Sequence, residues 1–492
     1  MAEGAREELG VVRMCRFVNE ISLFMKFRNF IFLIPWLLFF LASCSVSRQI
    51  SKQAEGLLND SAVSKGFTGI SIYEPATGKY WYNYNATKYF TPASNTKLFS
   101  LYAGMKYLGD SLPGINYQLF NDTSINIFAT GDPSFLHPDF NEQPVLNFLR
   151  VQNKHIYLSD KFRDSSLGKG WAWDDYNDDY MVERNSFPIF GNTIKINLSG
   201  YKEMGLRFSV PNWKVVPGYF KHYLPSMFIP DIFLYLLSRD SSYKKKLAGS
   251  FALRRDWASN MLNFLQGDTE FSKAEIPFKT MGLNTAISIL KEDFNLTIEK
   301  GRLIDDALYG LIPKHLEIRR INSQPSDSMF KPMMHRSDNF FAEQTLLMVS
   351  NERLGNMNDE AIIDTLLRLD MKDIPQQPKW VDGSGLSRYN LFTPQSFIYI
   401  LNKLYTEFGL KRLKSILPTG GEGTLKSFYI KDSGFIYAKT GTLSNNCALS
   451  GFLITNRGKL LIFSILANHY QSGATLIRRA TERFLTGIRR KY

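Results

Sequence analysis

Short β-rich runs stand at both ends of the chain. Phe67-Thr-Gly-Ile-Ser-Ile-Tyr and Lys79-Tyr-Trp-Tyr-Asn-Tyr, joined by Glu74-Pro-Ala-Thr-Gly, read as a hairpin, because Pro and Gly punctuate a tight turn. Near the other end, Phe435 to Thr440, Cys447 to Ile454 and Lys459 to Asn468 predict three more strands, the last two joined by a tight Asn456-Arg-Gly turn. A helix over about Gly473 to Leu485 follows, and the spacing predicts helices at Asn339 to Asn351 and Pro394 to Glu407, with Ser45 to Asp60 also helix-compatible. Strands at both termini with helices between them predict an α/β body, α+β in detail, whose antiparallel sheet pairs the two ends of the chain.

The middle, about residues 113–321, has a different texture. It carries Trp/Tyr/Asp-rich loops such as Gly170-Trp-Ala-Trp-Asp-Asp, short strand-like pieces such as Thr193 to Asn197, and a helix-like stretch at Asn284 to Phe294. It reads as one or two inserted accessory domains rich in β, leaving 44–112 and 322–492 as the body into which it is inserted; no internal repeat or low-complexity tract appears.

The first residues read as an export signal. Lys26 and Arg28 precede the apolar run Phe30 to Ala42, which at about 13 residues is too short to span a bilayer comfortably and suits a signal-peptide core. Leu41-Ala-Ser-Cys44 resembles a bacterial lipobox, which would make residues 1–43 a signal region and Cys44 the lipidated anchor; a plain secretory signal or a short membrane anchor is the alternative. Met25 looks like a natural start. The expected place is therefore the periplasm, on a membrane.

Composition narrows the picture further. At 492 residues and 44% apolar the chain can bury more than one core, and its net charge of +13 suits an anionic polymer or a membrane surface, though a solvated basic surface reads equally well. Export puts nucleic acid out of reach as a partner. Only Cys15, Cys44 and Cys447 are present, so no disulfide framework or cysteine metal cage can form, and the six scattered histidines lack ligand spacing; no metal or cofactor is expected. The aspartates Asp174, Asp175, Asp178 and Asp179 lack the glycine and terminal glutamate of a calcium loop and read as a solvated turn, and Cys447 reads as packing.

Ser94-Asn-Thr-Lys97 follows Thr91-Pro92-Ala93, a helix-start pattern in which Thr91 caps and Pro92 takes the first helical position. A serine in a first turn has an unpartnered amide beside its hydroxyl, and a lysine one turn on can take the hydroxyl proton if it is neutral. The spacing alone says little, since Ser199-Gly-Tyr-Lys202, Ser241-Ser-Tyr-Lys244 and Ser242-Tyr-Lys-Lys245 share it. Ser337-Asp-Asn339 opening a helix and Lys439-Thr-Gly-Thr442 on a strand complete an ordered triad of elements.

In this order the three elements resemble the serine β-lactamases and penicillin-binding proteins. With 243 residues between Ser94 and Ser337, and 100 between Asn339 and Lys439, the chain is similar to the D-alanyl-D-alanine carboxypeptidase/endopeptidase family, the class C low-molecular-mass penicillin-binding proteins. Gly131-Asp-Pro-Ser, Gly170-Trp-Ala-Trp-Asp-Asp, Lys331-Pro-Met-Met-His-Arg-Ser-Asp-Asn, Asp382-Gly-Ser-Gly-Leu-Ser-Arg388 and Leu417-Pro-Thr-Gly-Gly carry the likeness over most of residues 64–485, thinnest at about 200–275.

The resemblance implies a transpeptidase-like domain acting on peptidoglycan stem peptides and trapped by β-lactams. Ser94 would attack, with Lys97 as base, its pKa lowered by burial and by Lys439. Ser337 would relay a proton to the leaving amine, and Asn339 would hold the substrate amide and Lys97. The amides of Ser94 and Thr442 would form the oxyanion hole, while Lys439 and Thr440, beside Gly441, would bind the terminal carboxylate. Asp160 and Arg388 occupy the places that recognise the diamino-acid side chain, although Asp160 also reads as an ordinary strand-end turn residue. Ser444 replaces a longer polar side chain of some relatives. A weakly active wall-binding scaffold and a β-lactamase or esterase are the alternatives; the intact motifs oppose the first, and the long insertion and lack of an identifiable deacylating glutamate the second. Homodimer formation stays open.

Overall fold

The computed structural model describes residues 48–119, 121–197, 252–258, 260, 262–265, 273–301 and 317–492. The expected signal region, Met25 and Cys44 lie outside the described residues, as does most of 200–275. No helix of the described residues is long and apolar enough to cross a membrane.

Residues 48–58 form helix α1. The predicted hairpin follows as β1 (Phe67–Glu74) and β2 (Lys79–Tyr84), and a 3₁₀ turn over Ala93–Thr96 leads into α2 (Lys97–Tyr107). The middle of the chain supplies β3 (Ser111–Leu119), β4 (Ser124–Ala129), α3 (Pro144–Arg150), β5 (His155–Ser159), β6 (Thr193–Asn197), β7 (Ala252–Arg255), β8 (Leu262–Leu265), β9 (Lys273–Pro277), α4 (Asn284–Glu292), β10 (Ile298–Lys300) and β11 (Arg319–Pro325). Four helices come next: α5 (Ser326–His335), α6 (Asn339–Leu354), α7 (Asp359–Leu369) and α8 (Pro394–Ile416). The chain ends in β12 (Ile436–Leu443), β13 (Asn446–Ile454), β14 (Leu460–Asn468) and α9 (Ala474–Lys491).

The first sheet runs β12-β13-β14-β1-β2 and is antiparallel throughout, so its centre joins the two ends of the chain, Phe67 opposite Asn468. Both faces are covered, and the two-residue period of a strand sorts the side chains between them. Ile462 and Leu466 of β14 enter the core built by α2, α5, α6 and α8, while Leu461, Phe463 and Ile465 enter a second core shared with α1 and α9. Helix α9 meets that face with Ile477, Ala480, Phe484, Leu485 and Ile488, spaced three and four apart as an amphipathic stripe requires, and ends on Arg489, Arg490 and Lys491, where cations oppose the helix dipole.

Helix α8 begins on a capping box: Thr393 accepts from the Ser396 amide, the Ser396 hydroxyl accepts from the Thr393 amide, and Pro394 takes the first position. It runs past the predicted end at Glu407 because the chain breaks at Gly409 (φ 76°, ψ 152°) and then resumes as helix to Ile416. Outside the first sheet, β10-β5-β4-β3-β11 form a mixed sheet with its own core, in which Ile115, Ile125, Ile127 and Leu158 pack against α3 and α4. Strand β3 follows α2 directly and β11 runs into α5, so this sheet is spliced between the helix that begins at Lys97 and the helices that carry Asn339.

Candidate active site

The turn that carries Ser94 differs from its sequence reading. Thr91 does not cap. Pro92 is the cap residue of the 3₁₀ turn, with no side-chain cap bond, and the backbone of Thr91 is held by Asn468, whose Oδ1 accepts from the Thr91 amide (2.8 Å) and whose Nδ2 donates to its carbonyl (3.1 Å). The end of β14 thus fixes the backbone that leads into the turn, and no side chain caps the turn itself. Beneath the turn, Asn95 Nδ2 donates to Ser450 Oγ (2.7 Å), which is linked to Ser464 Oγ (2.9 Å). Ala93 sits at φ 49° and Ser337 at φ 65°, left-handed conformations that cost about 1–3 kcal/mol each and persist only where neighbours enforce them.

Lys97 is fully buried, and its ammonium reaches Ser94 Oγ (2.9 Å), Asn339 Oδ1 (2.6 Å) and the Ser384 carbonyl (2.7 Å). All three are uncharged oxygens. Burial therefore prevails over the more distant Asp382, Glu343 and Asp338, and the pKa falls to about 8. Lys439, also fully buried, donates to Ser337 Oγ (2.8 Å) and to the Thr440 carbonyl (2.7 Å). Burial, then the charges of Lys97 and Arg478, hold it well below the usual lysine range. The two lysines repel one another, so both cannot easily be charged at once, and burial is the leading cause that lowers each of them.

Asn339 is the first residue of α6, capped by Asp338, which accepts from the Phe341 amide (3.0 Å). With Oδ1 on Lys97, its Nδ2 faces away and donates to the Tyr180 carbonyl (3.1 Å). On β12, Gly441 comes so close to the serine turn that a Cβ there would lie 2.5 Å from the Pro92 carbonyl and 3.1 Å from the Ser94 amide. Only glycine lets strand and turn approach this far. Thr440 donates to Thr424 Oγ1 (2.8 Å), and Thr442 accepts from Arg478.

The Asp382-Gly-Ser-Gly loop supplies the third oxygen on Lys97. Asp382 is fully buried and accepts from the amides of Gly385 (2.8 Å) and Ser387 (2.6 Å), from Asn390 Nδ2 (2.7 Å) and from the indole of Trp171 (2.9 Å). Gly385, at φ 81°, lies against the serine turn, where a Cβ would sit 1.9 Å from the Ala93 carbonyl. Glu343, one turn along α6 from Asn339, accepts from the Ser384 amide (2.7 Å) and from Arg184 (3.1 Å), whose guanidinium also pairs with Asp359 and Asp164. Burial and the Asp382 charge raise Glu343 to about 7. Sequence reasoning missed Arg184 and Glu343, and had Trp171 only as part of a motif; an Arg or Glu in a sequence carries no mark of burial.

The remaining predicted residues lie farther out. Arg388 is exposed on the Asp382 loop, its amide donating to the Gly170 carbonyl (3.2 Å). Ser444 is exposed at the turn after β12. Asp160 is not drawn to Ser94: its carboxylate accepts from the Phe162 amide (3.0 Å), and it lines a cleft with Asn116, Arg320, Asn351 and Glu352. Asn351 is twelve residues along α6 from Asn339, about 18 Å at the helical rise. Cys447 is buried on β13, its thiol pushed up by burial.

A family model described as the D-Ala-D-Ala carboxypeptidase 3 (S13) family matches residues 50–216 and 315–487. The penicillin-sensitive carboxypeptidase A of Dictyostelium discoideum is 25% identical over 443 residues, covering 81% of this chain and 82% of its own. The D-alanyl-D-alanine carboxypeptidase DacB of Haemophilus influenzae is 24% identical over 422 residues, covering 80% and 83%. The crystal structure of penicillin binding protein 4 (dacB) from H. influenzae superposes with a TM-score of 0.65 at 20% identity, over 89% of this chain and 98% of that one, so the two share a fold. The antiparallel sheet flanked by helices is thus the transpeptidase-like fold that the motifs implied.

Proposed function

Since the chain belongs to the D-Ala-D-Ala carboxypeptidase 3 (S13) family, and is therefore a serine peptidase acting on peptidoglycan, we propose that Ser94 carries the acyl group and Lys97 is its base. The observation that carries this reading is the Lys97 ammonium, fully buried, 2.9 Å from Ser94 Oγ and, among the described residues, in contact with no carboxylate. A lysine brought to about 8 is neutral often enough at neutral pH to take the hydroxyl proton as Ser94 Oγ attacks the penultimate D-alanine carbonyl.

The Ser94 and Thr442 amides receive the oxyanion, which the close approach of Gly441 to the Ser94 turn supports. The Lys439–Ser337 contact gives a proton path to the leaving D-alanine or cross-link amine. The terminal carboxylate meets Lys439, Thr440 and Thr442, and its arrival restores the charge that burial withholds from Lys439. Water then hydrolyses the ester, and a β-lactam in place of the peptide leaves a slow acyl-enzyme.

The insertion over 113–321 and the flanking 44–112 and 322–492 act as accessory and catalytic domains. Arg388, exposed beside the Asp382 loop, meets the diamino-acid side chain of the stem peptide. Asp160 meets only substrate that extends far from the scissile bond. The site is extracytoplasmic, and Leu41-Ala-Ser-Cys44 supports a periplasmic lipoprotein.

Fluorescent penicillin and cross-linked muropeptides, offered to the mature protein and to Ser94→Ala and followed by mass analysis, test the reading. Labelling with loss of D-alanine or of a cross-link, both absent in the variant, is the expected result. A wild type that neither labels nor cleaves leaves a wall-binding scaffold in its place.

A further inference from the structure

The outer end of β12 carries more positive charge than the sequence motif accounts for. Side chains alternate along a strand, so Thr440 and Thr442 share a face of β12, which is an edge strand. Arg478, in the second turn of α9, crosses to this face and donates from Nη2 to Thr442 Oγ1 at 2.5 Å. A hydroxyl that accepts in this way keeps its own proton free, and Thr442 is exposed, so its O–H is available to an incoming acceptor.

The neighbours of Arg478 on α9 have carboxylate partners: Arg479 pairs with Glu482, Arg483 with Asp60 and Arg489 with Asp432. Among the described residues Arg478 has none within ion-pair distance. Its charge instead falls on Lys439, which is already desolvated and already beside Lys97. Two cations near enough to repel, neither paired with a carboxylate among the described residues, and the outer one holding the exposed Thr442 hydroxyl, form a site that an anion completes, because an anion there offsets their repulsion.

We propose that Arg478 is a specificity-determining residue, which with Thr442 selects leaving groups that bear a free carboxylate. The inference rests on the proposed reading of the site and extends it. Arg478 does not touch the reacting carbonyl. It orients the Thr442 hydroxyl and supplies the outer of two positive charges, so its effect appears only with ligands that carry the carboxylate.

Acylation rate constants for benzylpenicillin and for its methyl ester, measured on wild type, R478Q and R478K, test this. R478Q is expected to lose roughly ten- to hundredfold toward the acid, the range of a hydrogen bond to a charged group, with the ester rate changed less than about threefold and R478K recovering part of the loss. Peptides ending in D-Ala-D-Ala acid and in its amide should divide in the same way, chiefly in KM. Equal loss on acid and ester would mean that Arg478 merely holds the strand, and no loss on either would mean that it does nothing here; both overturn the inference. If wild type is acylated by neither compound, the reading of the site fails and takes the inference with it.

Discussion

Two regions of the molecule bury cations in opposite ways. Lys97 and Lys439 are fully buried and, among the described residues, their ammonium groups bond only to hydroxyl, amide and carbonyl oxygens. Arg184, equally hidden, is surrounded by Glu343, Asp359 and Asp164. Burial without a counter-charge pushes the lysines down, whereas three carboxylates push Arg184 up. The first arrangement makes a base and an anion site, and the second makes a permanent brace. They meet at Glu343, which ties Arg184 to the Ser384 amide while the Ser384 carbonyl holds Lys97. The brace therefore positions the base without neutralising it.

The largest effect expected is on the reactive side of this contrast. Ser94→Ala should abolish acylation, since no hydroxyl remains to take the acyl group, and Lys97→Met should lower it by roughly 10² to 10⁴-fold, the usual worth of a general base. Stopped-flow trapping with a fluorescent penicillin reads both. If Lys97→Met kept the wild-type rate, the unpaired lysine would have no part in the chemistry.

Next comes the brace. Arg184→Met leaves Glu343, Asp359 and Asp164 facing one another in a buried space, and losing one partner of such a cluster costs about 3–5 kcal/mol. Urea unfolding should show a loss of this size. Wild-type stability in the variant would mean that solvent reaches the cluster and that the contrast with the lysine site is false.

A pH profile sharpens the comparison further. Lys97 acts when neutral, so acylation should fall about tenfold per unit below a midpoint near 8 and level off above it. Asp382, Glu343 and Asp338 each favour the charged lysine. Glu343→Gln removes one of them and should move the midpoint to lower pH. A shift upward would place Glu343 outside the field of Lys97.

The parts of the site legible in the sequence are those that chemistry fixes at short range. Ser94 and Lys97 must lie one turn apart, Ser337 and Asn339 must open a helix, and Lys439, Thr440 and Gly441 must follow along one strand; each pattern survives as a local string. The strands of the terminal sheet were legible for the same reason. Contacts across hundreds of residues leave no such string. The Thr91 cap failed because Asn468, 377 residues away, holds that backbone instead. Nothing in Glu183-Arg184-Asn185 announces a buried guanidinium.

The smallest effect expected separates the site from the second sheet. Asp160 carried an even choice between a substrate contact and a strand-end turn, and its carboxylate makes the turn bond to the Phe162 amide. It shares a cleft with Asn351 and Glu352, toward the end of α6 away from Asn339. Penicillin, which fills only the space around Ser94, should acylate Asp160→Ala within about twofold of wild type, as expected of a substitution away from packed or buried features. A long cross-linked muropeptide can reach the cleft, so any loss should appear in its KM alone and remain below that of R388A, whose side chain stands on the Asp382 loop. If Asp160→Ala slowed penicillin acylation as much as the muropeptide reaction, the two regions would be coupled through the chain, and the 18 Å that α6 puts between them would not insulate one from the other.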